Sequence, residues 1–421
     1  MSFNPFEQKP DKIDSMFMPW DTIYPKSYGK HDVSPYTKVR CILMNGTEFE
    51  ANWFSHQFSR HCNNNDIRRQ LALIRRNEKQ QQMRIACLKP IDETVLETTI
   101  SYEQLAVDLT AIMAQREPDK YVKQALDFAL LEDFDHLYRY SDLLDLEHGV
   151  KGEILVGGYT EITPGRPTVS EHRYPFDDVK RYVDFKKAAP ITKLDVCIIT
   201  AAEQQTMNYY MNQAGFYTSD LGRRLYQEIG MIEEQHVSQY ESLMDVNPTW
   251  LESWLMHEYT ECYLYYSCYC DETDPYIKRV WEHHLNQEII HLHTAKDMLE
   301  NIEKRSYQEI IPDGRFPELL SFGPQIDYIR KVLKNTVTLT GCHEDYCDIC
   351  TVPDTAKFFT YQNIVNRDVD KVASHEVIEK YIDSFGKDYR YETAKNPVEE
   401  LQNRKEDNVC LGRCKTMDCT V

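Results

Sequence analysis

The sequence predicts a mainly α protein, a helical bundle of about six long helices in three antiparallel hairpins. Three observations carry this expectation. Apolar residues recur at helical spacing through 92–304, a stretch with few internal breakers. Caps and breakers fall at Pro118-Asp119, Thr218-Ser219-Asp220 and Thr273-Asp274-Pro275. Each of these turns lies midway between two acidic residues spaced 30 apart.

Taken in order, residues 1–36 are rich in Pro, Phe, Trp and Tyr without a period and are expected to wrap over other elements. Residues 38–53 place Asn45-Gly46 between alternating apolar runs, which predicts a short β-hairpin. Asp66 to about Ala86 reads as a helix with a broad solvated face of Arg, Lys and Gln. Long helices then follow at about 92–115, 119–146, 194–215, 219–245, 248–270 and 275–303. Residues 147–192, with Gly157-Gly158 and Pro164-Gly165-Arg166-Pro167, read as an insert of loop with some strand. From Ile311 the chain is mixed, with a helix near 368–384 and a Cys-containing tail. The organisation expected is a 1–91 wrapping segment, a 92–304 helical domain and a 305–421 extension.

The 421 residues carry 68 acidic against 48 basic side chains, a net charge of −20. Such a surface repels nucleic acid and anionic membrane, so neither is expected as a partner. No stretch approaches the roughly 20 apolar residues that cross a bilayer, and the N-terminus has no basic flank before an apolar run. Thirteen irregularly spaced cysteines in a chain of this size read as mostly reduced thiols, which suggests a cytoplasmic setting.

The chemistry lies in the spacings. Glu203 precedes Glu233 by 30 residues, and Glu233 opens a Glu-x-x-His with His236. Glu258 precedes Glu288 by the same distance, and Glu288 opens another with His291. Glu103 precedes Asp133, which opens an Asp-x-x-His with His136. Residues three apart share a helix face, so two carboxylates and one imidazole meet at one level of each hairpin. Ionised carboxylates on an apolar stripe need compensation, and a divalent cation supplies it. Carboxylate with imidazole suits iron, manganese or zinc. Any one such motif is more often a surface acid with a satisfied core histidine; three with matched spacing, phase and turn position point to metal.

This pattern resembles the ferritin-like superfamily of di-iron carboxylate proteins, especially its rubrerythrin-like branch, over roughly 92–304. The resemblance implies a ferritin-like bundle holding two iron ions, or an iron–manganese pair. Glu261, three residues after Glu258, resembles the exchangeable second acid of that branch. The chain departs from the pattern by offering three half-sites where two suffice, and Asp133 stands where Glu is usual. Glu132 could substitute, but lies about 100° out of phase. Chain direction favours pairing the Asp133 hairpin with one of the others, whereas ligand type favours the Glu233 and Glu288 hairpins. A homodimer joining half-sites between chains is a third arrangement.

Cys342-x4-Cys347-x2-Cys350 has ferredoxin-like spacing and suggests an additional Cys-bound metal at 342–350, with unligated thiols as the alternative. No second Cys-x-x-Cys provides a rubredoxin module, so the electron donor is unknown. Several of the 28 tyrosines (Tyr209, Tyr210, Tyr240, Tyr259, Tyr265) fall near the motifs, as do His257, His283, His284 and His293. The function implied is a di-metal oxidoreductase acting on O2 or peroxide with an unidentified small substrate. Metal storage without turnover and a structural metal are the competing readings.

Overall fold

The computed structural model describes residues 3–166 and 168–386. It is mainly helical with one small sheet. A one-turn helix α1 (Trp20–Ile23) precedes α2 (Pro35–His61) and α3 (Asn65–Ala86). Next come α4 (Val95–Arg116), α5 (Lys120–His148) and the short α6 (Gly152–Leu155). Then α7 (Pro190–Phe216), α8 (Asp220–Glu241), α9 (Trp250–Asp271) and α10 (Pro275–Met298) follow, the last running into a π turn at Leu299–Glu303. The described chain ends with α11 (Ile326–Thr336), the antiparallel pair β1 (Leu339–Cys342) and β2 (Asp345–Asp348), α12 (Lys357–Val365) and α13 (Ala373–Phe385). Among the described residues no helix is long and apolar enough to cross a membrane.

Eight of these helices form four hairpins, one more than the sequence predicts. Each has a three-residue connection whose last member caps the returning helix. Asn64 accepts from the Asp66 and Ile67 amides, Asp119 from Tyr121 and Val122, Ser219 from Gly222, and Asp274 from Tyr276 and Ile277. Capping boxes at Thr94/Glu97 and Thr249/Glu252 fix the starts of α4 and α9.

The additional hairpin, α2–α3, corrects the β-hairpin expected at 38–53. Asn45 and Gly46 lie inside α2, where Val39, Leu43, Met44, Gly46, Thr47 and Ala51 are buried at helical spacing. Burial of that face outweighs the local turn preference of Asn-Gly, as tertiary context commonly does. The insert also differs: between 149 and 189 the described residues form α6 and single 3-10 turns, without strand. Its buried Arg166 and Arg173 bond Glu132 of α5.

The chain packs as two compact units. Unit 1 comprises Met1–Asp92, Val183–Ala202 and Met244–Phe322, and unit 2 comprises Glu93–Tyr182, Glu203–Leu243 and the chain from Gly323. Unit 1 contains hairpins α2–α3 and α9–α10, with core residues Leu43, Leu71, Leu255 and Trp281 fully buried. Its N-terminal segment lies over the helices, Phe3 stacking on Tyr266 (4.3 Å between centroids) and Phe6 on Tyr307 (3.9 Å). Unit 2 contains hairpin α4–α5, and α7 from Glu203 on with α8. Helices α7 and α8 lie side by side at Gly230, where an added Cβ would make ordinary contact with Tyr210 Cβ at 3.5 Å.

Candidate metal centres

In unit 2, hairpins α4–α5 and α7–α8 bring Glu103, Asp133, His136, Glu203, Glu233 and His236 together, all fully buried or nearly so. Each acid lies 14 residues from its hairpin connection, so each is roughly 21 Å along its helix from the turn. Equal arms put the six side chains at one level.

They form two groups, each with ligand atoms within 4.8 Å of one another. One is Glu103, His136 and Glu233; the other is Asp133, Glu203, Glu233 and His236. Glu233 belongs to both. Its Oε1 lies 2.8 Å from His136 Nδ1 and its Oε2 lies 3.4 Å from His236 Nδ1. His236 Nδ1 is also 3.3 Å from Asp133 Oδ1 and 3.6 Å from Glu203 Oε2. Asp133 takes part in the His236 group alone, as its shorter side chain leads one to expect.

Buried oxygens here outnumber the donors. Both oxygens of Asp133 and of Glu203, and Glu103 Oε2, make no hydrogen bond. Such groups cost several kcal/mol each in a dry interior unless something positive meets them. Burial pushes the Glu203 carboxyl up to about 7 against the pull of His236. Burial, then Glu233, raises Glu103 well above the carboxylate range, and burial, then Glu203, does the same to Asp133. Glu233 goes the other way: against burial, His136 and His236 hold it down to about 2. The donor set could hold a metal ion.

Residues behind the ligands fix their orientation. Glu132, weighed from the sequence as a substitute ligand, faces away from the cluster. Its Oε2 lies 2.8 Å from His236 Nε2, which leaves Nδ1 toward the carboxylates. Arg166 and Arg173 of the insert bond Glu132 in turn, Arg173 Nη1 at 2.8 and 2.9 Å. Against burial, these two cations hold Glu132 well below its ordinary range. Both guanidiniums lie over the Phe128 ring, at 4.0 and 4.9 Å. The insert reaches them by pressing Gly165 onto α5, where an added Cβ meets Leu131 O at 2.3 Å. Tyr210 donates to Glu103 Oε1.

In unit 1, Glu258, Glu261, Glu288 and His291 gather with residues the sequence reading missed. Glu78, Glu258 and His291 form one group; Glu258, Glu261 and Glu288 form another. His291 Nδ1 is 3.0 Å from Glu288 Oε2 and 3.8 Å from Glu258 Oε2, while Nε2 lies 2.9 Å from Asn77 Oδ1. Gln81 donates to Glu288 Oε1 at 2.5 Å, and Tyr265 donates to Glu48. The Glu233 and Glu288 hairpins, which ligand type alone would pair, thus belong to different clusters.

Other expectations divide. Tyr240 is buried with no hydrogen bond from its hydroxyl, Tyr259 bonds Arg315 O (2.8 Å), and Tyr209 stacks on Tyr102. His284 Nδ1 is 3.3 Å from the Tyr265 hydroxyl, His293 reaches Pro5 O, and burial lowers His257 to about 4. Among the described residues no group of three close ligand atoms includes the cysteines at 342–350, where a Cys-bound metal is expected. Cys350 is disulfide-bonded, and Cys342 and Cys347 are free thiols, one exposed and one half-buried. Cys410, Cys414 and Cys419 lie outside the described residues. Comparison with protein-family models, curated proteins and solved structures returns no match for this chain.

Proposed function

We propose that unit 2 is a di-metal oxidoreductase centre of the ferritin-like kind, holding two iron-type ions and reducing O2 or peroxide. The observation that carries this reading is Glu233, one carboxylate whose two oxygens face two histidines in two ligand groups. Glu103 with His136 would complete one ion; Asp133, Glu203 and His236 would complete the other. When bound, such a pair supplies redox equivalents at a position closed to bulk water.

The chain's own residues prepare that position. Glu132 orients His236 and raises its basicity as a donor. Tyr210 holds Glu103 through its Oε1. Ile229, Tyr226, Leu137 and Tyr140, all fully buried, line the surrounding helices and exclude water. Burial biases Glu103, Asp133 and Glu203 toward their protonated forms in the metal-free chain, and cations would compete with those protons on binding.

The test is anaerobic loading of the full chain with Fe2+, followed by exposure to O2 or peroxide in the presence of a reductant. Repeated consumption, lost in Glu233→Gln together with at least one bound ion, is the expected outcome. A single stoichiometric oxidation without turnover would assign storage instead. Unchanged ion stoichiometry in Glu233→Gln would remove the centre altogether.

A further inference from the structure

The two clusters correspond position by position at a separation of 55 residues, unit 1 preceding unit 2 in the first hairpin and following it in the second. Glu48, Glu78, Gln81, Glu258, Glu288 and His291 of unit 1 match Glu103, Asp133, His136, Glu203, Glu233 and His236 of unit 2. The supporting residues follow the same rule. Tyr265 donates to Glu48 as Tyr210 donates to Glu103, and Asn77 meets His291 Nε2 as Glu132 meets His236 Nε2.

Three replacements change the chemistry. Gln81 stands for His136 and turns its amide on Glu288, so the imidazoles fall from two to one. Glu261 stands for Thr206, so the carboxylates rise from four to five. Asn77 stands for Glu132, so a neutral amide replaces the carboxylate that makes the imidazole more basic. The cluster is also short of donors: Glu48 Oε2, Glu78 Oε2, Glu258 Oε2 and both Glu261 oxygens are buried without a hydrogen bond. One of its two ligand groups, Glu258, Glu261 and Glu288, is wholly oxygen.

We infer that unit 1 is a second metal centre, formed by Glu48, Glu78, Glu258, Glu261, Glu288 and His291, and selective for hard divalent cations of the manganese type. Carboxylate oxygens suit manganese, whereas each imidazole favours iron and the later metals more strongly. Losing one imidazole and gaining one carboxylate therefore moves selectivity toward manganese relative to unit 2. The inference does not rest on redox activity in unit 2.

It is tested on the full chain freed of metal by chelation and titrated with Mn2+ alone, following the loss of the free-ion paramagnetic resonance signal. Asp133→Asn with Glu233→Gln disables unit 2 and isolates unit 1. This chain should still take up Mn2+, and adding Glu258→Gln should weaken uptake by about tenfold or more. If Glu258→Gln does not fold, Glu261→Thr introduces the residue found at that place in unit 2, and severalfold weaker uptake is expected. In the same background Gln81→His should shift competition between Mn2+ and Fe2+ toward iron by severalfold. A folded unit 2-disabled chain that takes up no Mn2+ overturns the site, as does uptake indifferent to both carboxylate changes. Competition unaltered by Gln81→His overturns the selectivity.

Discussion

Glu132 is the residue on which unit 2's electrostatics turn. It meets His236 on one side and two buried guanidiniums on the other. Glu132→Gln should leave Arg166 without its carboxylate, Arg173 keeping Asp178 at 2.8 Å, and removing one partner of a buried ion pair costs about 3–5 kcal/mol. It should also weaken metal binding in unit 2 by about 10–100-fold, since His236 loses its anchor. Denaturant unfolding reads the first effect and metal titration the second; loss of stability with unchanged affinity would reduce Glu132 to a structural role. Tyr210→Phe is milder: Glu103 Oε1 loses its donor and is left unpaired, at about 1–3 kcal/mol of stability. A loss in Tyr210→Phe as large as that in Glu132→Gln, in the same unfolding experiment, would refute the ranking.

At the scale of elements, the caps and the insert separate stability from chemistry. Asp119→Ala and Ser219→Ala remove side-chain caps far along α5 and α8 from the acids, at about 1 kcal/mol each, with unchanged metal stoichiometry. Gly165→Ala should cost about 1–3 kcal/mol, because its Cβ collides with the α5 backbone. Thermal unfolding of the three variants, with metal counted in each, checks both statements. The same contrast explains what was legible beforehand. The hairpins α4–α5, α7–α8 and α9–α10 announce themselves through apolar period, caps and a histidine three residues after an acid. Hairpin α2–α3 has the same arms and the same Asn64 cap. It escaped because Gln81 hides the motif and Asn45-Gly46 imitates a turn. The insert escaped for another reason: Arg166 and Arg173 meet Glu132, and Glu171 meets Arg139, across on α5, and no local period encodes a partner across the fold.

For the whole molecule, protons and cations compete for the same buried oxygens. Glu203 and Glu78, both pushed up to about 7, and His236, raised well above its ordinary value, bind protons more tightly folded than unfolded. Their linkage therefore stabilises the metal-free chain as pH falls from about 8 toward 6.5; below that the buried His257 and His284, both lowered, oppose it, and Glu233, held at about 2, opposes it only at lower pH still. Bound cations reverse the slope, because they need the carboxylates ionised. Calorimetry of the chelated chain should show a higher unfolding temperature at pH 6.5 than at pH 8, and the metal-loaded chain the opposite order. The same slope in both states would detach the clusters from metal binding.

One feature of connectivity sets an order of assembly. The helices of unit 2 that carry its six candidate ligands lie within 93–243, between the two hairpins that make unit 1. During synthesis, α2–α3 emerges first but waits for α9–α10, while the intervening stretch can complete its own cluster. Loop closure over such a distance costs little more than over a shorter one, since the penalty grows only logarithmically. The burden is kinetic, as contacts distant in sequence form late. A nascent chain stalled shortly after 243 would therefore carry unit 2's ligand set whole, with Glu48 and Glu78 still lacking their counterparts.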